Sequence, residues 1–114
     1  MSTISPVKVF TKTLTTGASA ATFDVGGGYR NYKVMLPSMA SGGDIRFEIS
    51  GDEGSTFKTL YHAPTVATAT PTVVNIPSSV SNCVVDVPPL GQHFKVVTTA
   101  PTASAYIFKI ICTA

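Results

Sequence analysis

Short runs in which β-branched and aromatic residues alternate with polar ones recur along the whole chain. The clearest is DIRFEIS, residues 44–50, where Ile45, Phe47 and Ile49 alternate with polar side chains. Because successive side chains of a strand point to opposite faces of its sheet, this run predicts a strand with one buried and one solvated face. Helical periodicity is absent almost everywhere, so the alternation favours an all-β fold.

Eight further runs have the same character, and turn residues separate them. They are residues 7–13, 21–25, 31–36, 57–63, 72–76, 82–87, 93–99 and 105–113. Glycine clusters at 26–28 and 42–43, and the prolines, lie between these runs rather than inside them, as expected for turns between strands. The spacing predicts an antiparallel β-sandwich, jelly-roll or immunoglobulin-like, of about 8–9 short strands.

The length of 114 residues is enough for one hydrophobic core and too small for two of ordinary size. We therefore expect a single β-sandwich domain over residues 7–114, preceded by a flexible N-terminal arm over residues 1–6. The stretch 62–75 has no large residue other than valine, and it predicts an extended loop or an irregular edge that crosses between the two sheets.

The last run, residues 105–113, is apolar on both of its faces. Ile107 and Ile111 lie beside Lys109 on one face, and the other face carries Tyr106, Phe108, Ile110 and Cys112. We expect this strand either to lie centrally in a sheet or to pack one face against another subunit.

Charged residues make up only 12% of the chain, about half of the ~25% that is typical of soluble domains. The surface must therefore be covered largely by threonine, serine, asparagine and small apolar groups. Such a surface costs little to desolvate, because few ions lose their water when it is covered. This favours a chain that lives in an assembly, and a threonine-rich monomer is the alternative.

Several classes of partner are not expected from the sequence. The N-terminal residues lack the 7–15-residue apolar stretch of a signal peptide, and no segment approaches the ~18 apolar residues of a membrane-spanning helix. The net charge is +2 without a basic cluster, so we expect no nucleic acid. His62 and His93 are isolated, and Cys83 and Cys112 lack a CxxC spacing, so we expect no metal, no cofactor and two buried free thiols.

The sequence also predicts no catalysis. All six carboxylates lie at turns or on strand faces predicted to be solvated, and no nucleophile elbow or phosphate loop is present. The loop SGDEGST, residues 50–56, is too short for an EF-hand, and the adjacent side chains of Asp52 and Glu53 diverge on a turn. We predict that it is a structural turn joining the runs 44–50 and 57–63 in a hairpin, with Phe57 packed against the inward face of the first run.

Carbohydrate recognition is a separate hypothesis, because small β-sandwiches often bind sugars on exposed aromatic rings. The chain has no tryptophan. Tyr29 follows the triple glycine and Tyr61 precedes His62, and these two tyrosines are the aromatics with a plausible route to solvent. Core or interface packing is the alternative for both.

The hairpin and the C-terminal third together resemble small structural proteins of tailed bacteriophages. Those proteins show an alternating strand, a loop such as SNDGGTTWYP, a second strand, a Gly- and Thr-rich middle, a segment such as YVRVRVT and a terminal strand. The matching pieces here are IRFEISGDEGSTFKTLYHAP and LGQHFKVVTTAPTASAYIFKIICTA, within residues 32–114. Phe57 stands where tryptophan is common, and FKVVTTA has fewer arginines than usual.

This resemblance implies a capsid decoration or cement protein on the virion surface, made in the host cytoplasm without a signal peptide. Its partner would be the major capsid protein, and it would bind as a homo-oligomer, with a homotrimer preferred. The alternative is a receptor- or carbohydrate-binding module of a tail fibre or adhesin. Oligomer or capsid contacts are expected in the arm, at the triple glycine and in the connection 63–72, at Ile4, Pro6, Tyr29, Val66 and Pro71.

Overall fold

A computed structural model describes residues 7–38, 43–63, 66 and 70–114, and no residue in these ranges lies in a helix. The strands are β1 (Val7–Leu14), β2 (Ala20–Asp24), β3 (Asn31–Leu36), β4 (Ile45–Ile49), β5 (Lys58–Thr59), β6 (Tyr61–His62), β7 (Thr72–Val73), β8 (Asn75–Ile76), β9 (Cys83–Val87), β10 (His93–Thr98) and β11 (Tyr106–Thr113). None of the described segments forms a helix long and apolar enough to cross a membrane. The predicted all-β antiparallel sandwich is confirmed.

Two larger sheets and one small ribbon account for these strands. The four-stranded sheet has the order β1-β11-β3-β9, and the five-stranded sheet has the order β2-β10-β4-β5 with β8 also paired to β4. All pairings are antiparallel, and β6 and β7 form the separate two-stranded ribbon.

Eleven strands arise from nine predicted runs because two of the runs are divided. The Leu60 N–H donates to the Phe47 carbonyl, and the Leu60 carbonyl accepts from the Val74 N–H. At Leu60 the chain leaves the edge of the five-stranded sheet for the β6–β7 ribbon, and at Val74 it returns from the ribbon to that edge. The described ends of the stretch 62–75 form short strands, so the predicted irregular edge and the strand predicted over 72–76 describe them, whereas a plain extended loop does not.

The core lies between the two larger sheets and follows the alternation of each strand. In β3, Tyr32, Val34 and Leu36 are buried, whereas the residues between them are exposed. Phe23 of β2 and Phe94 of β10 stack in parallel with ring centroids 5.2 Å apart. Tyr32 meets the Phe94 ring edge-on at 6.2 Å, so this cluster joins the four-stranded sheet to the five-stranded sheet.

The C-terminal strand β11 lies at the centre of the four-stranded sheet, between β1 and β3. This confirms the central position expected from its two apolar faces. Phe108, Ile110 and Cys112 point inward and are fully buried, whereas Ile107 on the outward face is 51% exposed. The outward face of a central strand is thus left partly open to solvent.

Two packing expectations need correction. Phe57 does not join Phe47 in the core: it is half-buried, and the Lys95 ammonium lies 4.5 Å from its ring centroid. Leu60 is the residue of that segment which packs against the core, because it lies on the inward side of the run. Both cysteines are free thiols, but only Cys112 is buried, whereas Cys83 is half-buried at the edge strand β9.

The contrast between Phe47 and Phe57 gives a test of the core. Phe47 is fully buried, so Phe47→Ala should lower the free energy of unfolding by ~3–5 kcal/mol through lost burial and a residual cavity. Phe57→Ala is the matched control and should cost about 1 kcal/mol, because it removes one half-buried ring and its cation contact. Urea unfolding followed by tyrosine fluorescence measures both, and equal losses would show that the inward face of β4 is misassigned.

Candidate interaction surface

The outward face of the four-stranded sheet carries most of the exposed large hydrophobic side chains of the described residues. Five of the seven such residues lie on this face: Val7, Val9, Met35, Val84 and Ile107. They come from all four strands of the sheet. Because a monomer rarely exposes a contiguous apolar patch unless the patch has a function, this face is the candidate interaction surface.

Strand pairing arranges the face in rows across the sheet. One row is Val9, Ile111, Lys33 and Asp86, and the next is Thr11, Lys109, Met35 and Val84. The Lys33 ammonium pairs with the Asp86 carboxylate beside it. Both groups are well exposed, so this ion pair contributes about 1 kcal/mol or less, and it mainly neutralises one charge of each sign on the face.

A recess of about 480 Å³ lies where β11, β3 and β9 run side by side. Its lining is mostly apolar, and it consists of Met35, Leu36, Pro37, Asn82, Cys83, Val84, Ile107 and Lys109. Met35 is paired with Lys109 on one side and with Val84 on the other. The recess therefore has aliphatic walls and one cation.

The end of the recess is shaped by the turn into β9. Asn82 has a positive φ of 52°, a conformation that asparagine adopts more readily than most residues. Its N–H donates to the Pro37 carbonyl at 3.0 Å, which extends the pairing of β3 and β9 by one step beyond Leu36 and Cys83. This contact sets Pro37 and Asn82 next to each other at the end of the recess.

The outward face of the five-stranded sheet has the opposite character. Its rows contain Glu48 of β4 beside Lys95 of β10, Arg46 beside Val97, and His93 beside Asp24. Arg46 donates to the Asn75 side chain at 3.3 Å, and a His93 ring nitrogen lies 3.8 Å from an Asp24 oxygen. The two outer faces of the sandwich therefore differ, because five of the seven exposed large hydrophobic side chains of the described residues lie on the four-stranded sheet and none lies on this one.

The loop SGDEGST is closed by its own hydrogen bonds. The Asp52 carboxylate accepts from the Thr56 N–H at 2.8 Å, from the Thr56 hydroxyl at 2.6 Å and from the Ser50 hydroxyl at 2.9 Å. The bonds from Thr56 come first among the causes that lower the pKa of Asp52 to about 2. Because both carboxylate oxygens are used within the loop, the arrangement agrees with a structural turn joining β4 and β5.

None of the described residues among the predicted contacts lines the recess. Tyr29 is half-buried, and its ring meets Phe10 edge-on at 6.2 Å. Val66 and Pro71 are exposed and lie in the chain between β6 and β7, and Tyr61 is 53% exposed on β6. Ile4 and Pro6 lie outside the described residues. The contacts at these positions stay predictions.

The recess itself was only partly visible in the sequence. Ile107 beside Lys109 on one face of the last run was the available signal, and it indicated a strand that either lies centrally in a sheet or packs one face against another subunit. Met35 and Val84 were missed, because no sequence pattern shows that β3 and β9 are the neighbours of β11.

No metal-binding group is found in the described part of the chain. Within it, no group of three or more histidine, cysteine, aspartate or glutamate side chains is placed to hold a metal ion. Burial raises the pKa of the Cys112 thiol to about 11, so this cysteine is a neutral core residue rather than a nucleophile. Comparison with known protein families, curated proteins and solved structures gives no match for this chain.

The Asp52 loop predicts a specific response to acid. The folded pKa of about 2 lies below the ordinary value near 3.9, so the loop bonds stabilise the fold fully above about pH 4 and are lost as pH falls through 2. The Thr56 amide chemical shift should therefore titrate with a midpoint near pH 2. Asp52→Asn should abolish this transition while Glu53→Gln preserves it, and a midpoint near pH 4 would mean that the bonds do not form in solution.

Proposed function

We propose that this chain is a structural protein of a tailed-bacteriophage virion, a β-sandwich that decorates the outer head surface and stabilises the shell. The observation that carries the proposal is the outward face of the four-stranded sheet, which holds five of the seven exposed large hydrophobic side chains of the described residues, whereas the outward face of the other sheet holds none. A protein that functions on the surface of an assembly has one face that the assembly buries and another face that remains in contact with water. The resemblance of residues 32–114 to small phage structural proteins gives the partner, the major capsid protein.

The size of the face sets how much of an interface it can supply. Four strands about 4.8 Å apart give a width of about 19 Å, and the eight residues of β1 and β11 give a length of about 26 Å, so the face spans at most about 500 Å². This is part of the ~800 Å² that each partner buries in a standard interface, and residues beside the sheet would contribute the rest. Area buried between the chain and capsid subunits adds free energy that must be lost before the shell opens.

The oligomer belongs to the same proposal. We expect a homo-oligomer, with a trimer preferred, because head-to-tail contacts between copies normally close into rings. Val66 and Pro71, which are exposed, together with the region of Tyr29, would supply contacts between copies. The apolar face would then remain available for the shell.

A receptor- or carbohydrate-binding module is the second candidate, and Tyr61 is the observation that favours it. This ring is 53% exposed beside exposed His62, and sugar rings stack on such aromatic faces. A glycan screen read by tyrosine fluorescence and by heat of binding would support this candidate, if Tyr61→Ala removes the signal.

The decoration proposal is tested with phage heads assembled without this chain. Purified protein should bind them in fixed stoichiometry and raise the temperature at which they disrupt. Ile107→Ser should weaken this binding about tenfold, because a half-exposed aliphatic side chain on the apolar face is lost. Thr22→Ser, exposed on the outward face of the five-stranded sheet, is the control and should bind as the wild type does.

Failure of the wild-type chain to bind heads, under conditions where it is folded, would rule out the decoration function. Binding that is undiminished by Ile107→Ser would instead mean that another surface makes the contact.

A further inference from the structure

The recess on the apolar face holds a cation that has no ion-pair partner within the described residues. Lys109 lines the recess, and its strand neighbour across the sheet is Met35 rather than an acid. The acid on this face, Asp86, is already paired with Lys33 in the adjacent row. The face therefore offers an apolar hollow with an unmatched positive charge beside it.

We propose that this recess is the anchor point for a partner-protein segment in which an aliphatic side chain stands next to a carboxylate. The aliphatic side chain fills the hollow between Met35, Val84 and Ile107, and the carboxylate pairs with Lys109. This inference rests on the proposed function for the source of the segment, which is the capsid protein.

The volume of the recess suits a side chain of the partner. At about 480 Å³ it lies within the ~300–1,000 Å³ range of ligand pockets, so it has room for a leucine-sized group and part of its backbone. Interfaces concentrate their binding energy where a few anchor side chains fill such pockets. The half-exposed walls Val84 and Ile107 lose their remaining contact with water when the recess is filled.

The charge of Lys109 determines which type of partner residue can lie beside the aliphatic anchor. Lys109 lines the recess, and a lysine can lay its aliphatic stem along an apolar surface while its ammonium stays in water. A partner carboxylate placed there is attracted, and the bound segment shields the pair from water. A lysine opposite it would instead be repelled.

A second copy of this chain does not supply such a segment. Four of its six side-chain carboxylates are already held by hydrogen bonds or an ion pair: Asp24, Asp44, Asp52 and Asp86. Glu48 lies between Phe47 and Ile49, whose side chains point to the opposite side of the strand, and Glu53 has no apolar neighbour in the chain. We therefore assign the occupant to a different protein, and self-association of the wild-type chain that Lys109→Glu removes would indicate a second copy instead.

The chemistry of the recess is tested with small probes by amide NMR. N-acetyl-leucine should shift the amide signals of Met35, Val84 and Ile107 with millimolar affinity, as expected for a ligand of this size. N-acetyl-leucinamide, which lacks the charge, and N-acetylglycine, which lacks the side chain, should each bind at least threefold more weakly.

Two variants and a control assign the effect to residues. Lys109→Met should remove the preference for N-acetyl-leucine over its amide, and Ile107→Ser should weaken both probes. Lys12→Met, an exposed lysine of β1 outside the recess, should change neither. Equal affinity of acid and amide for the wild type, or shifts centred elsewhere, would overturn the inference.

The shell assay separates this inference from the proposed function. Lys109→Glu should weaken binding to heads at least tenfold, whereas Lys12→Glu should not. Heads that bind the wild type and Lys109→Glu equally would overturn the anchor and leave the decoration function standing. Heads that bind neither, while N-acetyl-leucine still binds through Lys109, would overturn the decoration function and support the recess chemistry.

Discussion

The contact of Tyr32 with Phe94 is the point on which the rest of the fold depends. Phe94 stacks on Phe23 within its own sheet and receives the Tyr32 edge from the other sheet. The Tyr32 hydroxyl donates to the Gly91 carbonyl at 2.9 Å, so the one polar atom of this ring is satisfied at the margin of the core. Because Tyr32 and Phe94 face each other between the sheets, the alternate residues of β3 and β10 that share their faces also point into the core.

The residues on the outward faces are determined by which residues point into the core. A strand buries alternate residues, so burying Phe108 and Ile110 of β11 places Ile107 and Lys109 on the other side. On the four-stranded sheet the outward side chains include five exposed large hydrophobic residues among threonine, asparagine, lysine and aspartate, whereas the outward side chains described on the five-stranded sheet include none. Aliphatic side chains in contact with water raise the free energy of the isolated chain, and a partner that covers them removes this cost. The proposed function is therefore assigned to the face that exposes them.

The local alternation predicted the positions of the strands well, but it predicted less well which residues contact the core and where a run divides. All nine alternating runs contain strands, the hairpin across SGDEGST exists, and β11 is central. Phe57 was placed wrongly, because the weak alternation of its run does not say which side faces the core. The division at Leu60 was also missed, since it depends on hydrogen bonds to Phe47 and Val74, which are remote in the chain.

The sequence by itself determined the fold class and the inward set of each clear strand, because a side-chain period of two is a local property. Only the tertiary structure decided which outward residues become neighbours. Met35, Val84 and Ile107 are widely separated in the chain, and they line one recess because β3 pairs with both β9 and β11. Strand pairing is a non-local choice made by the packing of the whole core, and this choice created the surface from which a function is proposed.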